Sequence, residues 1–141
     1  MQRTLISYLA ATIGAAIGFL YGEINDMFYA LIALVILDYL TGVMVAVYKH
    51  KVSSKVGFKG IMKKFCIFVL VSVAHLIDTH ITHTGNVFMC LTMFFYSANE
   101  CISILENAEK LGLPVPEKLK NILEQVKSEN DKGDPKPPAT K

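Results

Sequence analysis

Apolar runs of membrane length alternate along this chain with short polar breaks. Residues 4–21, TLISYLAATIGAAIGFLY, form the first run. Eighteen residues of helix rise about 27 Å, close to the roughly 30 Å hydrocarbon core of a bilayer. Residues 27–48 form the longest and most apolar run, with a single acid, Asp38, near its centre. A third, at 65–77, is shorter, and it reaches back to 61 if Ile61 and Met62 join and Lys63 and Lys64 snorkel toward the surface. The fourth, 87–105, is interrupted by Asn99 and Glu100. The pattern predicts an all-α integral membrane protein with four transmembrane helices.

Charge decides between three spans and four. The fourteen Lys and Arg residues fall in three stretches: Arg3, the lysines of 49–64, and everything from Lys110 onward. The turns 22–26 and 78–86 carry none. Four spans place every cation on one side, as the positive-inside rule requires, whereas three would put the seven lysines of the tail outside. Both termini are therefore expected in the cytoplasm, with Lys49, Lys51, Lys55, Lys59, Lys63 and Lys64 setting the topology. Arg3 ahead of an Ala- and Gly-rich run also fits a cleavable secretory leader, although the run is long for one and a single Arg is a weak start.

Past the spans, 108–127 read as a cytoplasmic linker and amphipathic helix. Pro114 and Pro116 stop the fourth helix, and Leu119, Ile122, Leu123 and Val126 then repeat at helical spacing. Residues 128–141 are polar and proline-rich, the composition of a disordered tail. The first 107 residues make one transmembrane domain.

At 141 residues, 52% hydrophobic and 18% charged, the chain is too apolar for a typical soluble domain. It has no basic stripe on a soluble fold, so nucleic acid is not an expected partner. Cys66, Cys90 and Cys101 all lie in apolar runs, as small buried hydrophobes rather than a disulfide framework. No phosphate loop, nucleophile elbow or other catalytic pairing is present, which argues against an enzyme and requires no cofactor. Asp78, His80 and His83 cluster in one turn, but nothing fixes a fourth ligand, and a polar extracytoplasmic cap is the simpler reading than a metal site.

Three helix faces stand out. Ala10, Gly14, Gly18 and Gly22 recur every four residues, a small-residue face that lets helices approach closely in lipid. Asp38 shares a face with Gly42, and Thr41 lies beside it. An acid at mid-span costs roughly 2.5–3.5 kcal/mol on insertion scales, while each of the eleven Leu, Ile, Val and Phe residues of this span returns about 0.3–0.6. The helix inserts, and Asp38 must face another helix or water. Tyr96, Glu100, Ser103 and Asn107 line one face of the fourth span, beside Asn99. Two acids cannot pair with each other, so either both line an aqueous path or one is protonated. Both are then poorly satisfied in a single copy. In the third span, Ser72 and His75 read as satisfied packing positions.

Three stretches together carry a resemblance. They are LDYLTG at 37–42, the basic segment with Ser53, Ser54, Gly57, Gly60, Lys63 and Lys64, and NECISILEN at 99–107 leading into LGLPVP at 111–116. In combination they resemble the toxin-secretion/phage-lysis holin family over roughly residues 30–123. The resemblance implies a phage-encoded protein of the bacterial cytoplasmic membrane that self-associates and opens lesions. An endolysin, or in some relatives a toxin, would leave through them as cargo without direct binding. It implies no catalytic residue. Asp38, Thr41, Gly42, Asn99, Glu100 and Asn107 are the pore or oligomer-contact candidates. The alternatives are a small four-helix proton-coupled transporter or ion channel, and a passive membrane scaffold. Against the transporter stand the absence of Trp and of an evident aromatic cage.

Overall fold

The computed structural model describes residues 1–131, which form five α-helices. α1 spans Gln2–Tyr21, α2 Asp26–Tyr48, α3 Ser54–Ile77, α4 Val87–Lys110 and α5 Glu117–Asp131. The first four are long and apolar enough to cross a membrane, α3 together with a short π-helical extension, Asp78–Thr82.

Local chemistry sets the helix ends. α1 stops at Gly22, which takes φ 63° and donates its N–H to the Gly18 carbonyl. Asn25 caps α2, its side chain accepting from the Phe28 N–H, and Asp26 complements the positive end of the helix dipole. α4 closes in a Schellman arrangement: Gly112 sits at φ 88° and the Leu113 N–H reaches back to the Ala108 carbonyl at 3.0 Å. Pro114 and Pro116 follow, as expected for a sharp stop.

α3 begins earlier than the hydrophobic run suggests. Residues 54–60, which precede the expected span, are helical too, and only 49–53 link α2 to α3. At the far end, residues 128–131 continue α5 where a disordered tail was expected, and 132–141 lie outside the described residues.

α2, α3 and α4 make the core. Phe28, Leu31 and Val35 of α2 pack against Ile67, Val71 and Ala74 of α3 and Met89 and Met93 of α4. In lipid such packing stabilises through close van der Waals contact rather than loss of water. α2 and α4 run parallel: positions 28–35 meet 89–93 at one end, and 38–42 meet 100–107 at the other. α3 is antiparallel to both. Apolar side chains such as Leu40, Val73 and Phe94 point outward, suited to lipid. Cys66 is also on the outside, not buried as expected, whereas Cys90 and Cys101 are half-buried; all three are free thiols.

α1 is attached differently. It packs on α3 near the C-terminal ends of both helices, where the Tyr21 hydroxyl donates to the Phe68 carbonyl at 3.2 Å and Ser72 Oγ donates to the Leu20 carbonyl at 3.1 Å. Residues 3–20 of α1 are exposed. Ser72 is thus a satisfied packing position, but His75 Nδ1 is buried without a partner.

Candidate functional site

Three core helices each contribute a charge at one depth. Asp38 lies ten residues before the end of α2 at Tyr48, Lys64 ten residues after the start of α3 at Ser54, and Glu100 ten residues before the end of α4 at Lys110. Ten residues of helix are about 15 Å, roughly half the hydrocarbon thickness. The antiparallel run of α3 is what brings the three levels together.

Lys64 sits between the two acids. Its Nζ donates to Asp38 Oδ2 at 2.6 Å and also to Glu100 Oε2. Asn107 Nδ2 donates to the other Asp38 oxygen and to Thr41 Oγ1, both at 3.1 Å, and Thr41 donates onward to the Asp38 carbonyl. Side-chain exposure is 13% for Asp38, 15% for Lys64 and 9% for Glu100, so the cluster is largely withdrawn from the surface. Gly42 lies alongside: a Cβ there would meet Asn107 Nδ2 at 3.8 Å, an ordinary contact.

Five of the six pore or contact candidates therefore converge: Asp38, Thr41, Gly42, Glu100 and Asn107. Asn99 is half-buried and takes no part in these bonds. Lys64 is the correction. Sequence groups it with the surface lysines, yet it points inward, while Lys49, Lys51, Lys55, Lys59 and Lys63 remain exposed. Its ammonium also removes the expectation that the two acids are poorly satisfied in one copy. With all three groups ionised the cluster carries one net negative charge, and each of the three charges has a charged hydrogen-bond partner, which is what makes a buried ion tolerable.

The small-residue face of α1 splits in two. Ala10, Gly14 and Gly18 are exposed, and a Cβ on Gly14 or Gly18 would meet nothing within 4 Å. Gly22 is instead pressed on α3: a Cβ there would lie 2.6 Å from His75 Cε1.

A second polar feature lies at the opposite end of the bundle and was not legible as such. Asp78, expected in a polar extracytoplasmic cap, is buried. Its Oδ1 accepts from Thr84 Oγ1 at 2.8 Å and the Phe88 N–H at 3.1 Å, and its Oδ2 accepts from the Met89 N–H at 2.8 Å. Asp78 caps α4 from ten residues upstream, in place of Asn86, whose side chain makes no cap bond. Asp78→Ala should cost about 2 kcal/mol by stranding the Phe88 and Met89 amides, the second of them buried. Thermal unfolding in detergent reads the loss, and Asp78→Asn, which keeps an acceptor oxygen, should lose less.

This is the architecture of a small multi-pass membrane protein with an ion-paired cluster between its helices. The sequence profile of the bacteriophage holin family matches residues 15–128. The chain belongs to that family. A probable holin of Bacillus phage phi105 is 34% identical, over 80% of this chain and 82% of its own. Similarity extends to uncharacterised bacterial proteins: one from Halalkalibacterium halodurans at 41% identity, over 93% of this chain and all of its own, and one from Listeria innocua at 46%, over 78% of each. No solved structure matches. The family match takes in the whole of α2, α3 and α4, and hence the complete cluster.

Proposed function

We propose that this chain is a lesion-forming holin of the bacterial cytoplasmic membrane, with both termini and the exposed lysines on the cytoplasmic side. Copies accumulate, associate and open the membrane, so that an endolysin, or a toxin, passes as cargo without being bound. The observation that carries this reading is a charged cluster enclosed by apolar helices in a member of the holin family. A single copy hides its charge on Lys64. When copies rearrange side by side, Asp38, Lys64 and Glu100 become the wetted wall of the opening, where water takes over from the ion pairs.

The uncovered face of α1 supports association. A Cβ at Gly14 or Gly18 meets nothing of the same chain within 4 Å, so leucines at both positions should leave the fold of one copy unchanged. Cross-linking in membranes should then show a shifted oligomer ladder; an unchanged ladder removes α1 from the contact.

Expression in a bacterium tests the function itself. A holin causes abrupt loss of membrane potential, followed by lysis when a muralytic enzyme is co-expressed. Substrate-dependent proton flux without lysis would indicate the proton-coupled transporter instead, and neither effect would indicate a scaffold.

A further inference from the structure

A groove of about 660 Å³ opens beside the cluster at the basic end of the bundle. The second half of α2, the 49–53 link and the first turns of α3 form its sides. Its chemistry changes along its length. Lys51 and Ser53, both exposed, stand at the mouth, Val43, Val56 and Ile61 line the walls, and the less exposed Asp38, Lys64 and Asn107 form the inner end. Lys64 and Asn107 are already engaged with Asp38, so the inner end has little to offer an incoming ion. The mouth differs. Residues 49–64 hold six lysines and no acid, and among the described residues Lys49, Lys51 and Lys55 form no salt bridge.

We propose that this groove binds one anionic phospholipid, its phosphate at Lys51 and Ser53 and one acyl chain along Val43, Val56 and Ile61. Charge complementarity selects the occupant. A cationic mouth leading to an apolar wall matches an amphiphile with an anionic head and a hydrocarbon tail, and a basic pocket between membrane helices is a known setting for such headgroups. The volume is in the range of sites that enclose a small organic ligand. The inference rests on the chain being a membrane protein and is independent of lesion formation.

Native mass spectrometry of the full chain, purified from nanodiscs of phosphatidylglycerol or of phosphatidylcholine, reads the retained lipid directly. One phosphatidylglycerol per chain should survive, and phosphatidylcholine should not. Lys51→Glu should reduce retention by about tenfold or more, because it reverses the charge at the mouth. Lys59→Glu makes the same charge change outside the groove and should leave retention intact. Equal losses in the two variants would mean general attraction to an anionic surface and would overturn the site. So would absence of retained lipid, or a shift in oligomeric state on Lys51→Glu, which would give the groove to a second copy.

Discussion

Lys64→Met is expected to be the most damaging single substitution in the bundle, costing about 3–5 kcal/mol by leaving two buried carboxylates without their counter-charge. Lys63→Met, one residue earlier on an exposed position, should cost little. The sign of the effect depends on charge balance rather than on contact number. Asp38→Asn or Glu100→Gln alone leaves one acid paired with Lys64, a neutral arrangement, and should cost only the lost charged hydrogen bond, about 1.5–3 kcal/mol. Combining Lys64→Met with both neutral substitutions removes every charge from the cluster and should recover much of the loss, since a buried ion pair replaced by apolar or neutral groups is often no less stable. Folded yield in detergent and resistance to proteolysis report the series. If Lys64→Met behaves like Lys63→Met, the ammonium is not the counter-ion of these acids.

Asp38→Leu should separate insertion from function. The exchange makes α2 more apolar by about 3–4 kcal/mol on insertion scales, so the amount in the membrane should hold or rise. Glu100 and Lys64 remain as a neutral pair, and Asn107 keeps its bond to Thr41. What disappears is a charge that the proposed opening needs in contact with water. Lysis should be delayed several-fold or lost at equal membrane levels, as followed by culture turbidity with a muralytic enzyme present. Lysis on the normal schedule would take Asp38 out of the wall.

Much of this arrangement was legible along the chain. The gaps between apolar runs mark the four membrane helices, and the cost of an acid in lipid singles out Asp38 and Glu100. Helical spacing adds Asn107, and adjacency adds Thr41. Lys64 was not legible, because the positive-inside rule treats lysines as one population and a lysine near the end of a short span is expected to snorkel to the surface. The helix actually starts at Ser54, through Gly57 and Gly60 that look like breakers. Neither glycine is required there by space: a Cβ on Gly57 would make only an ordinary contact, 3.9 Å from Tyr39 Oη of α2, and one on Gly60 would meet nothing within 4 Å. With that start known, equal depth on the three helices identifies the partner. Asp78 was hidden for another reason: its amide partners lie ten and eleven residues downstream, beyond any local capping pattern.

The enclosed ammonium is the claim on which the rest depends, and a dipolar-coupling measurement by solid-state NMR in lipid tests it most directly. With lysine labelled at Nζ and the aspartate and glutamate carboxyl carbons labelled, Lys64 should couple to both Asp38 and Glu100 at contact distance, whereas Lys63 should couple to neither. A Lys64 nitrogen uncoupled to either carboxyl, and exchanging with water as Lys63 does, would contradict the account.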